Sequence, residues 1–293
     1  MTEPLVYAVL LTWNQKADTL ACLESLFQMD YPRLAVVLVD NASTDGTAEI
    51  VRAQFPQVEL LVNAANRGFA AAVNQGWRHA LERGAEYVLV LNNDTVADPA
   101  MLTHLMAPVT AAGVGMVVPK IYYYSQPDVI WSVGAAMSRW TYENLGDARG
   151  TRDTGQWEAV VERDFATACA ALLPRAVLER CGGLDERFFY YYDDADWSLR
   201  VREAGYTIRL APKAKLWHKV AAASGGLDTP YERYWMARSG VLYFRKHVRG
   251  WRWLIVIPYR LSSAMRTTLR LLARRRLEAL SAYWRGLWDG VRL

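Results

Sequence analysis

Asp94 is the one carboxylate in the run Leu91-Asn92-Asn93-Asp94-Thr95, directly after the apolar residues 87–90. A carboxylate flanked by amides, where a buried strand meets solvent, offers the hard oxygen ligands that a phosphate-bridging divalent cation needs. The same residues, followed by Asp98-Pro99, also make an ordinary turn and helix cap. Further along, Asp193-Asp194-Ala195-Asp196-Trp197 places carboxylates at the start of a helical pattern beside the aromatic stretch 188–192. Asp193 suits the helix start, and Asp196 is spaced to pair with Arg200 one turn on; both are structural duties. Asp194 points about a hundred degrees round from Asp193. Crowding by like charge and aromatic burial would raise its pKa toward the range of a general base. His218 ends Lys215-Leu216-Trp217-His218. A lone histidine is more often structural than a ligand, yet a neutral imidazole can complete a coordination begun by Asp94.

Two further polar turns stand early in the chain. Thr12-Trp13-Asn14 follows a first apolar run and Asp40-Asn41-Ala42-Ser43 a second. If both runs are neighbouring parallel strands, these ends share one crevice, where a carboxylate accepts hydrogen bonds from a base or ribose and a turn presents N–H groups. Ser43 or Asp45 as a helix cap is compatible with that role. Asn66-Arg67-Gly68 opens a later helix with small residues that let an anion approach the N–H groups. Neither G-x-G-x-x-G nor a Walker A pattern occurs, which argues against a nicotinamide site and a P-loop.

The elements that must hold these residues are predicted by periodicity. Strands are expected at 5–11, 34–39, 58–62, 87–91 and 114–118, and helices at 17–27, from near 45 to 54, at 68–83 and at 99–110. Apolar runs alternating with helical spacing imply an α/β fold with a mostly parallel sheet. The rhythm stops after Lys120; short β pieces are expected at 129–133 and 141–145, a strand at 166–173, helices at 175–181 and 193–204, and a strand at 206–210. After Gly225-Gly226 the composition turns to Arg and Trp with helical spacing. The predicted division is a catalytic domain over 1–226, its halves meeting near residue 120, and a helical tail over 227–293.

The 293 residues, 52% hydrophobic and 22% charged, suffice for one large α/β domain with an appendage. Cys22, Cys169 and Cys181 have no metal-ligand spacing and leave an odd thiol, as expected for a reducing, cytoplasmic setting. The N-terminus lacks the basic region of a signal peptide, and no run approaches the ~20 apolar residues of a membrane span. The net charge of +4 hides an asymmetry. Residues 231–293 hold 14 Lys+Arg against 3 Asp+Glu, leaving 20 against 27 in the remainder. Such a tail suits peripheral contact with the anionic inner face of the plasma membrane, or a helical pair packed on the catalytic domain or across a homodimer. Without a recognition motif it does not suggest a nucleic-acid binder.

Val39-Asp40-Asn41-Ala42-Ser43-Thr44-Asp45-Gly46, Asn66-Arg67-Gly68-Phe69, Leu91-Asn92-Asn93-Asp94-Thr95, Gly182-Gly183-Leu184-Asp185-Glu186, Asp193-Asp194-Ala195-Asp196 and Trp217-His218 occur in this order. The set resembles family 2 inverting glycosyltransferases of GT-A fold, especially rhamnosyltransferase-like and galactofuranosyltransferase-like members. The resemblance implies a nucleotide-diphospho-sugar donor, with dTDP-rhamnose favoured, and a glycan or lipid-linked acceptor in cell-surface polysaccharide synthesis. It implies donor contacts from Thr12, Trp13, Asn14, Asp40, Asn41, Ser43, Asn66, Arg67, Gly68, Asn93 and Asp94. It implies Mg²⁺ or Mn²⁺ on Asp94 and His218, and Asp194 as the catalytic base. Tyr192, Asp193 and Trp197 are the acceptor-side candidates. Asn92 departs from the family, standing where many members carry a first aspartate. The Q-x-x-R-W pattern of processive synthases is absent. Asn92 keeps a second reading open: a sugar-nucleotide-binding scaffold that partners another transferase and does not itself catalyse.

Overall fold

The computed structural model describes residues 3–146, 148–220 and 228–293, and the chain divides into two compact units. The first takes in residues up to 136, 146–186 and 194–220. Its opening elements are β1 (Val6–Thr12), α1 (Lys16–Leu26), β2 (Leu34–Asp40), α2 (Thr47–Gln54), β3 (Glu59–Val62), α3 (Phe69–Glu82) and β4 (Tyr87–Asn92). β2, β1 and β4 are near-continuous apolar runs because both faces of the sheet are covered. Alternation along β1 splits its side chains: Val6, Ala8 and Leu10 join a cluster with Leu23, Leu26 and Leu102, while Tyr7 and Val9 join another with Val73 and Ala80. The strands pair in parallel, and the register sets Thr12 beside Asp40 and Leu11 beside Asn92. The polar ends therefore line one edge.

Beyond β4 come β5 (Thr95–Ala97), α4 (Met101–Val109), β6 (Val114–Tyr123), β7 (Gln126–Ser132), β8 (Val161–Arg163), β9 (Ala170–Pro174), α5 (Arg175–Cys181), α6 (Asp193–Glu203) and β10 (Thr207–His218). Among the described residues they complete a ten-stranded sheet ordered β3-β2-β1-β4-β9-β6-β10-β5, with β7 on β6 and β8 on β10. β9 runs antiparallel to β4 and β6, so the sheet is parallel in its first half and mixed in its second. The expected strand at 166–173 begins only at Ala170, and the piece at 141–145 makes an isolated bridge from Asn144 to Met137 rather than a strand. β10 does not stop at residue 210. It continues to His218, with a register shift between Ala211 and Lys215, so Lys215-Leu216-Trp217-His218 lies within the strand.

The second unit gathers residues 137–145 and 187–193 with the chain from 221 onward. It is built on α7 (Pro230–His247), α8 (Trp253–Ala273) and α9 (Leu277–Arg292). Thr229 caps α7 by accepting from the Glu232 N–H, with Pro230 in the first turn. α9 lies close on α7 because it presents Gly286 and Gly290 there; a Cβ at either would overlap the Tyr234 or Arg238 carbonyl. The two short segments are fastened from these helices. The Tyr243 hydroxyl donates to the Tyr142 carbonyl at 3.3 Å, and Arg260 pairs with Glu143 at 2.7 Å. Tyr192 packs on Tyr243, ring centroids 5.2 Å apart.

Candidate functional site

The first pole of the site is the edge formed by β1, β2 and the start of α3. Asp40 is fully buried; its Oδ1 accepts from the Ser43 N–H at 2.7 Å, while its Oδ2 has no partner among the described residues. The turn that brings Ser43 round places Ala42 at φ 68°, a left-handed conformation that costs a non-glycine residue energy and recurs at functional sites. Asn14, at φ 53°, is tied to the same turn: its N–H donates to Ser43 Oγ at 3.0 Å and its Oδ1 accepts from the Thr44 N–H at 2.7 Å. Asn41 is the hub. Its Nδ2 donates to Asn66 Oδ1 at 2.8 Å and to the Gly68 carbonyl at 3.3 Å. Its Oδ1 accepts from Asn63 Nδ2 at 3.1 Å and from the Arg67 N–H at 3.0 Å. Trp13 is half exposed at this edge.

The second pole joins residues far apart in sequence. β5 is short, but it runs antiparallel to the end of β10, with Thr95 opposite His218. That pairing sets Asp94 Oδ1 3.1 Å from His218 Nε2, both residues buried. The Asp94 carbonyl accepts from the Lys219 N–H at 2.9 Å. The Trp131 ring meets the imidazole edge-on, centroids 4.5 Å apart. His218 Nδ1 and Asn92 Oδ1 are buried and have no partner among the described residues.

Asp194 belongs to the same unit. The link is the stretch before β9: the Cys169 carbonyl accepts from the Asn92 N–H at 2.9 Å, and the Ala168 N–H donates to the Asp194 carboxylate. Burial raises the Cys169 thiol pKa, and the Asp94 and Asp194 carboxylates push it further the same way, so both lie within electrostatic reach of one thiol. Burial also lifts Asp194 from the ordinary carboxylate value to about 6, against the opposing pull of the Ala195 and Ala168 N–H groups. α6, which carries it, is held firmly. Ser198 Oγ bonds both backbone groups of Ala166, and Asp196, fully buried, accepts from Arg200 Nε at 2.8 Å. Arg200 also donates to the Cys181 and Gly183 carbonyls. Asp196 thus has the structural duty its spacing suggested.

Some candidates sit elsewhere than expected. Trp197 is 2% exposed in the apolar core, its indole N–H on the Gly182 carbonyl, so it cannot line an acceptor site. The Tyr192 ring is committed to Tyr243 and Phe244 in the second unit, and its hydroxyl bonds Arg260. Asp193 is buried at 6% exposure. Thr12 and Asn93 turn inward as well: Thr12 Oγ1 lies 2.8 Å from Thr19 Oγ1, and Asn93 Nδ2 donates to both hydroxyls. Their side chains brace the strand ends. Two supporting residues carried no sequence signal. Trp131 lies in the β piece expected at 129–133, but nothing in its spacing points to His218. Asn74, mid-helix in α3, bonds both backbone groups of Leu184, and Gly183 leaves room for it: a Cβ there would overlap the Asn74 amide.

Asp94 and His218 suit a divalent cation. Two ligands in adjacent positions of an octahedral site with bonds near 2.1 Å lie about 3 Å apart, close to their 3.1 Å separation. Among the described residues no cluster of three or more His, Cys, Asp or Glu could hold a metal alone. A cation here would take its other ligands from phosphate and water, as magnesium-type ions commonly do.

A sheet whose strand ends carry a carboxylate crevice and an Asp–His pair, covered by helices on both faces, has the architecture of a GT-A glycosyltransferase. Residues 7–181 match the family described as Glycosyl transferase family 2, and the chain belongs to that family. It is similar to the dTDP-rhamnosyl transferase RfbF of Shigella flexneri, at 24% identity over 98% of this chain and 95% of that one. It also resembles the N-acetylglucosaminyl-diphospho-decaprenol L-rhamnosyltransferase of Mycobacterium tuberculosis, at 25% identity over 84% of this chain and 88% of that one. The mannosyltransferase PcManGT of Pyrobaculum calidifontis, solved with GDP-Man and Mn²⁺, superposes with a TM-score of 0.61 at 20% identity, over 99% of this chain and 76% of its own. The protein is therefore a family 2 glycosyltransferase that has rhamnosyltransferases among its relatives.

Proposed function

We propose that this protein transfers a sugar, with inversion, from a nucleotide-diphospho-sugar to a hydroxyl of a glycan or lipid-linked acceptor. Its similarity to a dTDP-rhamnosyl transferase and a decaprenol-linked rhamnosyltransferase favours dTDP-rhamnose as donor and a cell-envelope polysaccharide as the product's destination. The observation that carries the reading is the meeting of Asp94 with His218 at 3.1 Å, in the unit that holds Asp194 on the Ala168 N–H. Asp40 and the Asn14–Ser43 turn receive base and ribose, with Asn66 to Gly68 as a further nucleotide-contacting segment. Asp94 and His218 would hold Mg²⁺ or Mn²⁺, which would supply positive charge to offset the negative charge developing on the diphosphate. Asp194 accepts the proton of the acceptor hydroxyl. The bond from that oxygen to the anomeric carbon forms as the bond to the diphosphate oxygen breaks on the opposite face, and a single displacement inverts the configuration. Residues about 1–120 serve the donor and about 121–226 the acceptor, although 137–145 and 187–193 join the helical unit built on the tail 227–293, and the division near 226 lies outside the described residues.

A donor screen tests this. Purified protein is mixed with dTDP-rhamnose, UDP-galactose, UDP-glucose, UDP-N-acetylglucosamine and GDP-mannose, each with and without Mn²⁺, and thermal shift and slow donor hydrolysis are read. A metal-dependent shift with dTDP-rhamnose, and hydrolysis of it, is the expected result. A shift without hydrolysis or transfer would favour the scaffold reading instead. No shift with any donor would overturn the assignment of the crevice.

A further inference from the structure

In α8 the buried residues are Val256 and Leu271. Trp253, Ile255, Tyr259 and Ala264 are partly buried beside them, Ala264 against the cluster of Ala237, Leu271, Ala279 and Tyr283, and a third set of apolar side chains faces outward. Leu254, Ile257, Leu261, Met265, Leu269 and Leu272 are all exposed, Leu254 at 78% and Leu261 at 65%. Their spacing of three or four residues keeps them on one line without drift, since about five turns of 3.6 residues separate the first from the last. A surface helix ordinarily turns its polar face to water. A continuous apolar line along the outer face of the longest helix in the second unit marks a surface that is covered in use.

Charge indicates what covers it. Arg266, Arg275, Arg276 and Arg285 are exposed on α8, α9 and the turn between them. The acids of this stretch are Glu278 and Asp289, and Asp289 is engaged by the Tyr234 hydroxyl at 2.9 Å. A second copy would bring one arginine-rimmed stripe against another, and like-charge juxtaposition opposes that pairing. A lipid surface rich in anionic headgroups meets both features: acyl chains take the leucines, and arginines extend from the apolar boundary to the phosphates. Among the described residues no helix is long and apolar enough to cross a membrane, so α8 would lie on the bilayer rather than through it.

We infer that α8 docks flat on an anionic membrane surface, its Leu254–Leu272 line inserted and its arginines on the headgroups. The inference deepens the lipid-linked acceptor of the proposed function, but it is read from the second unit alone. Flotation without donor or acceptor therefore tests it separately from the transfer reaction. Full-length protein is floated with phosphatidylcholine vesicles, and with the same vesicles containing phosphatidylglycerol. The protein is expected to float with the anionic vesicles and far less with the neutral ones, with the bound fraction falling as salt screens the arginines. The double variant Leu261→Glu/Met265→Glu should lose about tenfold in bound fraction at an unchanged melting midpoint, because both side chains point away from the protein. Equal flotation of variant and parent would overturn the inference. So would absence of flotation with either vesicle. A parent dimer in size exclusion that the variant dissociates, with lipid making no difference, would assign the stripe to a second copy instead.

Discussion

The two poles of the site are built on opposite plans. At the Asp40 edge, Asn41 is bonded at both ends of its amide and Asn14 is locked to the neighbouring turn, leaving Asp40 Oδ2 as the open atom. At the Asp94–His218 pole the reactive groups face one another, and His218 Nδ1 and Asn92 Oδ1 have no partner among the described residues. The first pole is satisfied by its own chain at both ends of the Asn41 amide and at Asn14 Oδ1, with Asp40 Oδ2 its one buried side-chain atom lacking a partner among the described residues. The second keeps polar groups buried and underused, an arrangement that costs stability and is repaid only when something else completes it. Substitutions at the Asp40 edge should therefore act mainly on stability, and those at the second pole mainly on activity.

The largest departure is expected at Asp194. Asp194→Asn should lower kcat about 10²–10⁴-fold while the melting midpoint stays within a few degrees. In the parent, kcat/KM should rise with pH and level off above pH about 6, where the carboxylate has shed its proton. Stability runs the other way. The folded group holds its proton more tightly than the unfolded one, so its contribution falls as pH climbs from 3.8 toward about 6 and is flat above that. Unchanged transfer by the variant would remove Asp194 as the base. Next, Asp94→Asn or His218→Gln should each cost about 10²-fold in transfer and abolish any Mn²⁺-induced thermal shift. If the Mn²⁺ response survived both changes, the cation would have to bind elsewhere.

Asn41→Ala tests the contrast from the other side. It removes up to four hydrogen bonds and should destabilise the protein by about 2–4 kcal/mol, measured by urea denaturation, with much of the activity kept at low temperature. A variant as stable as the parent but inactive would show that Asn41 touches the ligand and would blur the distinction between the poles. The smallest effect is expected from Asn92→Asp. The added carboxylate should lower the midpoint slightly without metal and strengthen Mn²⁺ binding about tenfold, read by titration calorimetry.

Much of the first half could be read from sequence because its strands are buried on both faces and its helices are amphipathic, which makes periodicity informative. That Thr12 and Asp40 share one edge follows from parallel pairing, while their exact register comes from the structure. The second pole could not be derived that way. Asp94 meets His218 because β5, only Thr95–Ala97, pairs with the far end of β10, and a three-residue strand has no periodic signal. Resemblance to a family brought these residues together where spacing could not. The Asp196–Arg200 pair was legible from i,i+4 spacing. The burial of Trp197 was not, since it depends on the Gly182 carbonyl arriving from the preceding loop.

The discontinuity of the second unit also has a consequence in time. Residues 137–145 and 187–193 leave the ribosome well before α7, α8 and α9 exist to receive them. At about 5–20 residues per second, Tyr142 and Tyr192 wait on the order of ten seconds for Tyr243, Arg252 and Arg260. During that interval these rings are exposed on a nascent chain, as targets for chaperones or for each other, and synthesis of α7 and the first turns of α8 ends the exposure. Slowing translation over the final helices should therefore aggregate the protein without altering a single residue of it.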